Sequence, residues 1–146
     1  MPAKRKFDIP KLKLKVARSR AGLGIFALQD IPKGTCIIEY KGRRITEKQV
    51  DASRSKYLFD AGKNYTIDGQ SRSNKARYIN HSCRPNCEVD IWRHHVYILS
   101  KRKIEAGEEL CYSYGKDYFD TFLKEPGCRC LKCKPPKRGE RVRIEV

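Results

Sequence analysis

The sequence is short of acidic residues and has no long apolar run. It contains 17 Asp and Glu against 33 Lys and Arg, which gives a formal charge of +16. No stretch approaches the roughly 18 apolar residues of a membrane span, and the basic start lacks the apolar segment of a signal peptide. We therefore expect a soluble, intracellular protein with no membrane partner.

The shortage of apolar residues limits the size of the core. The hydrophobic fraction is 39% in a chain of 146 residues, a length that fits one domain and not two. A core this modest favours an additional staple such as a metal ion. The excess positive charge has two interpretations: basic tails that keep the protein soluble, or a surface that attracts a polyanion such as nucleic acid.

No internal repeat and no heptad pattern is visible, and the apolar segments are short and separated by Gly and Pro turns. This pattern predicts a mainly β fold with brief helices. The predicted strands are residues 12–16, 35–40, 57–59, 65–68, 89–92, 96–100 and 109–114. Thr46 and Gln49 match a capping box and predict a helix to about residue 54, and Ser71 is a candidate cap for one helical turn to residue 76. The tail from residue 135 is not assigned structure, although its last residues could add a strand.

The segment of residues 19–27, SRAGLGIFA, contains a Gly-Leu-Gly motif at Gly22, Leu23 and Gly24. Two glycines permit a tight turn and the close approach of a ligand to the backbone. The motif alone is also consistent with an ordinary turn. His94 and His95 are predicted to be surface residues at the bend of a hairpin, not ligands.

Seven cysteines are an odd number, which argues against a disulfide framework in a reducing compartment. Cys128, Cys130 and Cys133 form a CxCxxC motif in a loop-like context. Thiolates at this spacing suit tetrahedral zinc, and three of them leave a fourth position to fill.

The fourth ligand must come from elsewhere in the chain or from water. Cys36 and Cys111 lie within apolar strands and are more simply core residues. Cys83 is the leading candidate and Cys87 its competitor, because both lie in the polar loop of residues 77–88, RYINHSCRPNCE. A loop so dense in hydrogen-bonding and reactive side chains predicts a functional site.

Taken together, these stretches resemble SET-domain protein lysine methyltransferases that carry a C-terminal post-SET zinc segment. The resemblance covers roughly residues 13–133. It rests on the motifs SRAGLGIFA, IIEYKG, YLFDAGKNYTIDG, ARYINHSCRPNC, GEELCYSYG and CRCLKC. It implies small curved β-sheets with a pseudoknot-like crossing. The implied domains are a basic arm at 1–12, a SET domain at 13–115, a post-SET zinc segment at 116–134 and a basic tail at 135–146.

The resemblance also implies a bound S-adenosylmethionine and a structural Zn2+. The implied cofactor contacts are Ala21, Gly22, Leu23, Gly24, Tyr57, Asn80 and His81. The implied zinc ligands are Cys83, Cys128, Cys130 and Cys133. Arg129 or Leu131, beside the zinc cysteines, would cover the cofactor. Only two residues separate the last two cysteines, whereas many relatives have four, so the geometry of this cover is expected to differ.

For catalysis, the resemblance assigns the reactive position to Tyr114, with Tyr40 and Tyr112 lining a narrow channel for the substrate lysine. Tyrosine at the position of Tyr112 implies that the product is monomethyl-lysine. Without the resemblance, the three residues would be interpreted as core tyrosines.

The expected substrate is a lysine in a basic, histone-like segment of a chromatin protein, and the charge of +16 would oppose its approach. Docking on DNA or a nucleosome would remove this conflict. The alternatives are a non-histone substrate, such as a ribosomal or DNA-packaging protein, and a catalytically silent zinc-stapled module that binds nucleic acid. The expected location is the nucleus and chromatin in a eukaryote, or the cytoplasm in a bacterium.

Overall fold

A computed structural model describes residues 5–125 and 127–146. It contains ten short strands and two short α-helices. The strands are β1 Leu14–Ser19, β2 Gly22–Ala27, β3 Cys36–Tyr40, β4 Arg43–Ile45, β5 Leu58–Asp60, β6 Thr66–Asp68, β7 Asn80–His81, β8 Cys87–Trp92, β9 His95–Ser100 and β10 Cys111–Tyr112. The helices are α1 Glu47–Ala52 and α2 Lys116–Tyr118; α2 continues into a π-helical turn, Phe119–Leu123, and a 3-10 turn covers Lys75–Tyr78.

The strands form four small sheets. β1 and β2 are an antiparallel hairpin, β3, β9 and β8 form one three-stranded antiparallel sheet, and β4, β6 and β5 form another. β7 and β10 form a short parallel pair in which Asn80 lies opposite Cys111 and His81 opposite Tyr112. The predicted fold class, mainly β with short helices and small sheets, is confirmed.

The β7–β10 pair joins segments that are separated in sequence by the whole β8–β9 hairpin. Asn86, just after β7, holds this junction with its side chain. Its Nδ2 donates to the carbonyl oxygen of Glu109 at 2.8 Å, and its Oδ1 accepts from the backbone N–H of Cys111 at 2.9 Å. Since Asn86 is buried, both bonds are protected from water. The junction therefore fixes the two strands that carry the polar loop and the YSYG motif.

The core lies between the sheets and beneath the β7–β10 pair. Its fully buried side chains are mainly β-branched and leucine residues, which suit pleated surfaces. They include Ile25, Ile31, Ile79, Val96, Ile98, Ile104 and Leu110. Backbone bonds between Ile31 and Ile104, 2.8 and 2.9 Å long, connect the turn before β3 to the turn before β10. The core thus supports both of these segments.

The local predictions vary in accuracy. The capping box of α1 is confirmed, since Gln49 N–H donates to Thr46 Oγ1 and Thr46 N–H donates to Gln49 Oε1. The β8–β9 hairpin is confirmed with its turn at Arg93 and His94, both at positive φ. His94 is exposed, as expected.

Two predicted strands and one predicted cap are wrong in their details, and three strands, β2, β4 and β7, were not predicted. The first strand is Leu14–Ser19 and not residues 12–16, because the hairpin extends it to the turn at residues 20 and 21. The helical turn before β7 follows Asn74 and not Ser71, and the side chain of Asn74 makes no capping hydrogen bond. Only Cys111–Tyr112 of the segment 109–114 is strand, since its partner β7 has two residues. β4 is additional; its sequence, RRI, has no apolar alternation that could have indicated it.

The C-terminal tail is ordered against the domain without being a strand. Ile144 N–H donates to the carbonyl of Gly107 at 3.0 Å, and Arg143 forms ion pairs with Glu105 and Glu108. No strand occurs in residues 127–146.

Within the described parts of the chain, the helices are too short or too polar to traverse a bilayer.

Candidate active site and cysteine cluster

A large cavity of about 1120 Å³ lies between the β1–β2 turn, the polar loop of residues 77–88 and the C-terminal segment. Ala21 and Leu23 line one side, and Tyr57 lines another. Asn80 and His81 contribute from β7. Five of the seven predicted cofactor contacts thus line one space.

The two glycines of the motif are placed differently. Gly22 and Gly24 are in β2 but are not among the residues that line the cavity. Gly24 instead makes room for a carboxylate, because a side chain at this position would overlap the Glu109 side chain. The Gly-Leu-Gly motif, which predicted the close approach of a ligand, therefore has a second explanation: the Glu109 side chain packs closely on the β2 backbone.

A second cavity, of about 610 Å³, has largely aromatic walls. Tyr40, Phe59, Tyr112, Tyr114, Tyr118 and Phe122 line it, with Lys56, Asp60 and Lys116 among the charged residues. Tyr114 also lines the large cavity, as do Tyr57 and Arg77. The three predicted catalytic tyrosines are therefore brought together, and Tyr114 stands where the two cavities meet.

The phenol groups at this junction are directed by backbone carbonyls. Tyr40 Oη donates to the carbonyl oxygen of Tyr57 at 2.7 Å, and Tyr114 Oη donates to the carbonyl oxygen of Ile79. Gly69 permits the position of the Tyr40 ring, because a Cβ there would overlap it. With each proton committed to a carbonyl, the phenol oxygen offers a lone pair to the cavity.

Burial makes these phenols poor acids. It raises the pKa of Tyr114 and of Tyr40 far above the ordinary value, and that of Tyr112 as well. Neighbouring phenols act in the same direction, since the Tyr112 and Tyr114 ring centroids are 4.9 Å apart. The three tyrosines stay neutral near pH 7, so they can orient a group but cannot act as general bases.

His81 links the tyrosine junction to the cysteines. Its Nδ1 accepts from the backbone N–H of Tyr114 at 3.0 Å, which requires the imidazole proton to be on Nε2. Nε2 lies 3.3 Å from Cys83 Sγ and can donate to it. Burial lowers the pKa of His81, so the neutral ring that these two contacts require is favoured.

The cysteine cluster brings together residues about fifty positions apart. The sulfurs of Cys83, Cys128, Cys130 and Cys133 all lie within 4.8 Å of one another. Tetrahedral Zn2+ with thiolate bonds of about 2.3 Å needs sulfurs roughly 3.8 Å apart, so the four residues fit this ion. Cys87 is buried in β8 and outside the group. Of the two candidates from the polar loop, the geometry therefore favours Cys83.

The thiols of the cluster differ in acidity. Burial raises the pKa of Cys130, but backbone N–H groups of Cys83 and Cys133 point at its sulfur and lower the pKa to about 6. Burial raises the pKa of Cys83 to about 12 and that of Cys128 to about 11. The Cys130 thiolate is thus favoured at neutral pH, and a bound cation would favour ionisation of Cys83 and Cys128 as well.

Two charged residues of the site were not predicted from sequence. Glu109 Oε2 accepts from Asn80 Nδ2 at 2.7 Å, and burial raises the pKa of this carboxyl. Arg77 lies over the Tyr57 ring at 4.3 Å and lines both cavities, and its buried Nε has no hydrogen-bond partner. Glu109 sits in a strand-like sequence and Arg77 in a basic one, so neither had a distinguishing signal.

The segment around the cysteines also contacts the large cavity. Arg129 and Leu131, both predicted to cover a cofactor, line it together with Cys128 and Cys130. The cysteine cluster is therefore part of the cavity wall, and not a separate structural appendix.

The model of the SET domain family matches residues 22–115, which is more than half of the chain. The matched range contains β2 to β10 and Tyr114, and it ends before the CxCxxC motif.

Several curated proteins are similar to most of the chain. Human histone-lysine N-methyltransferase EHMT1 is 37% identical over 140 residues, covering 85% of this chain and 11% of that protein. Drosophila melanogaster histone-lysine N-methyltransferase trr is 41% identical over 128 residues, covering 79% of this chain and 5% of that protein. The H3 lysine-36-specific histone-lysine N-methyltransferase of Mycosarcoma maydis is 36% identical over 131 residues, covering 77% of this chain and 14% of that protein. The chain thus spans a small fraction of the length of each of these relatives.

Proposed function

Because this chain belongs to the SET-domain family, we propose that it is an S-adenosylmethionine-dependent protein lysine N-methyltransferase. The observation that carries the proposal is the junction at Tyr114, whose side chain lines both the large cavity and the aromatic cavity, as those of Tyr57 and Tyr118 also do. A methyl donor and a lysine side chain that react away from solvent need separate entrances that meet at one point. A catalytically silent binding module has no use for this arrangement.

The large cavity fits the methyl donor. Asn80 offers a side-chain amide, Glu109 a carboxylate and Arg77 an unpartnered N–H, which together suit the charged amino-acid group of the donor. Leu23 and Leu131 supply apolar surface for its other end. When bound, the donor would supply an electrophilic methyl group. Ala21, Tyr57 and His81 complete the proposed contacts from the wall of the cavity. Gly22 and Gly24 flank Leu23 in β2 without lining the cavity, and they stay in the proposed set only as its backbone neighbours.

The aromatic cavity fits a lysine side chain. The amine must be neutral to act as a nucleophile, and free lysine with a pKa of about 10.4 is under 1% neutral at pH 8. The walls formed by Tyr40, Tyr112 and Phe59 remove water from the ammonium group, which lowers its pKa. The hydroxyl of Tyr114 donates its hydrogen bond to the Ile79 carbonyl. Its oxygen can therefore accept a hydrogen bond from the amine and hold the amine in line with the methyl group. On transfer the lysine nitrogen would gain an N–CH3 bond as the donor's S–CH3 bond breaks, which would leave a neutral thioether and an N-methylated ammonium whose excess proton leaves to solvent.

We assign Zn2+ to the four cysteine sulfurs in a structural role. All four positions of a tetrahedral ion would be filled by protein, which leaves none for a substrate. The ion would hold Arg129 and Leu131 against the large cavity. The Nε2–H of His81, directed at Cys83, would orient this ligand and connect it to Tyr114.

The proposed product is monomethyl-lysine. Tyr112 is buried at the wall of the aromatic cavity, beside Tyr114, and its hydroxyl occupies space that a second methyl group would need. The proposed substrate is a histone or another basic chromatin protein. It is supported by the similar proteins described above, which are histone-lysine N-methyltransferases, and it implies a nuclear, chromatin-associated location.

The direct test is transfer of a labelled methyl group. The zinc-loaded protein is incubated with radiolabelled S-adenosylmethionine and, in separate reactions, with histones, nucleosomes and a cell lysate. We expect label on lysine of a basic protein. Failure to bind the methyl donor in calorimetry would contradict the enzyme proposal. Donor binding with label only on a non-chromatin protein would overturn the proposed substrate and leave the reaction intact.

A further inference from the structure

The C-terminal tail forms a basic cleft with the β1–β2 hairpin, next to the large cavity. The cleft has a volume of about 360 Å³. Seven of the thirteen residues that line it are Arg or Lys, and two are Glu. The tail is therefore not a free basic extension, because it builds one wall of a concave surface.

Ion pairs fix this wall in place. Arg20 Nε lies 2.7 Å from Glu140 Oε2, with both side chains largely buried. Arg143 pairs with Glu105 at 3.1 Å, and Ile144 N–H bonds the Gly107 carbonyl. These contacts use the carboxylates of the region to attach the tail, and they neutralise Arg143 and most of the charge of Arg20.

Of the other five cations of the cleft, Arg141 lies 3.8 Å from Glu145. Among the side chains that the structure describes, no carboxylate lies within ion-pair distance of the remaining four, Arg18, Arg129, Lys134 and Lys137. All four side chains are exposed and line the cleft. Like charges this close repel one another, so a bound anion would stabilise the arrangement.

A buried donor at the cleft also lacks an acceptor. Nη1 of Arg20 is buried and makes no hydrogen bond, and Nε of the same guanidinium lies 2.7 Å from Glu140 Oε2, a buried oxygen that also makes no hydrogen bond. Buried guanidinium donors are normally satisfied, because an unmade bond to a charged group is costly. A phosphate oxygen in the cleft would supply the missing acceptor.

We infer that this cleft binds the phosphate backbone of DNA through Arg18, Arg20, Arg129, Lys134 and Lys137. An acidic protein surface is a poorer fit, since protein interfaces rely on a central apolar or aromatic cluster. The exposed side chains of the cleft without an ion pair are all cationic, and the carboxylate of Glu109, which also lines the cleft, is half-buried and accepts from Asn80. Phosphate contacts position a protein on DNA without reading its sequence. The choice of DNA rests on the proposed chromatin substrate, whereas the anion site stands on the contacts alone. Docking here would also offset the repulsion between a +16 protein and a basic substrate.

The test measures DNA binding without any methyl donor, so its result is independent of the proposed activity. A labelled 30-base-pair duplex is titrated at several salt concentrations. Five phosphate contacts predict a slope of about −4 to −5 in log affinity against log salt. The triple variant Arg18→Gln, Lys134→Gln, Lys137→Gln should bind more weakly, with a slope shallower by about two to three units.

The matched control removes the same charge from exposed lysines outside the cleft: Lys33→Gln, Lys48→Gln, Lys63→Gln. Its slope should stay within about one unit of the unmodified protein. Equal losses in the two triple variants would show that only net charge matters and would overturn the proposed site. Displacement of the duplex by polyglutamate at equal charge concentration would overturn the choice of DNA and favour an acidic protein.

A second measurement uses the unmodified protein and does not depend on how the variants fold. Lysines are acetylated with a water-soluble reagent, with and without the duplex, and quantified by mass spectrometry. We expect the duplex to protect Lys134 and Lys137 and to leave Lys33, Lys48 and Lys63 reactive. Protection of the second group and not the first would contradict the inference.

Discussion

The tyrosine junction and the C-terminal segment of residues 127–146 are adjacent and yet are held by different forces. Tyr112 is 5% exposed, and Tyr114 is directed by carbonyls and packed among rings. Most side chains in 127–146 are exposed, and the segment is attached by four sulfurs, a few ion pairs and one strand-like backbone bond.

This difference separates the residues proposed to act in methyl transfer from the segment proposed to cover the methyl donor. Buried packing and protected hydrogen bonds position the tyrosines whether or not a metal is bound. In the proposed zinc-bound state, the segment around Arg129 and Leu131 would depend on the four thiolates sharing a cation, and on surface ion pairs that contribute little individually. We therefore expect the two regions to be separable by mutation: one set of changes removes turnover, and the other removes the donor's cover.

The largest expected effect is that of Tyr114→Phe on turnover. Removing the phenol oxygen deletes the acceptor that orients the amine, so the transfer rate should decrease about 100-fold or more, while zinc content stays unchanged. Single-turnover kinetics with labelled donor measures it. Tyr65→Phe, on a ring stacked against His94 outside both cavities, serves as control. A variant that also lost zinc would show that the two regions are not separable.

Cys83→Ser should affect the other region first. It removes one of the four sulfurs, so zinc content and donor affinity should both decrease, with affinity changing about 10-fold to 100-fold. Metal analysis and calorimetry measure these quantities. Cys87→Ala removes a buried sulfur outside the cluster and should keep both. Cys87, and not Cys83, would be the fourth ligand if the two variants behaved in the opposite way.

The rate of methyl transfer should increase with pH. Below the lysine pKa, the neutral amine increases about tenfold per pH unit, so the rate should follow it from pH 6.5 upward. Burial raises the pKa values of Tyr112 and Tyr114 above the ordinary value near 10, so ionisation of these phenols should not reduce the rate below pH 10. Single-turnover rates at saturating donor test this. A decreasing limb between pH 7 and 9 would indicate an essential phenol or imidazole that titrates there.

The smallest expected effect is a change of product, without loss of either region. Tyr112→Phe removes one hydroxyl from the wall of the aromatic cavity and should shift the product from monomethyl-lysine toward dimethyl-lysine and trimethyl-lysine. Mass spectrometry of the reacted peptide measures the distribution, and zinc content is the control. An unchanged distribution of mono-, di- and trimethyl-lysine would contradict the proposed role of Tyr112.

Much of this architecture was accessible from sequence because local chemistry dictates it. Thr46 and Gln49 satisfy each other at the start of α1, and the alternation in residues 89–100 specifies a hairpin. The CxCxxC spacing forces three sulfurs together. The assignment of Cys83 as their partner came from its polar loop, and the cluster geometry agrees with it.

What sequence could not provide depends on contacts between distant segments. Glu109 looks like any strand residue until β2 passes close to it, with Gly24 making the space. Arg20 and Glu140 are 120 positions apart, so nothing local marks them as partners. The tail looked like an unstructured basic extension because its order comes entirely from such pairs. The individual site assignments, from Ala21 to Cys133, stay predictions until the variants are measured.

The clamp of Asn86 on the segment before β10 also has a consequence for biosynthesis. The β7–β10 pair cannot form until residues 111 and 112 have emerged from the ribosome, and the hairpin between them must first be made. Pairings of this sequence separation are slow, because chain entropy is lost before contacts compensate for it. A nascent chain that has emerged only as far as residue 88 therefore contains the polar loop and no junction, and the pair can form only once Cys111 and Tyr112 have followed.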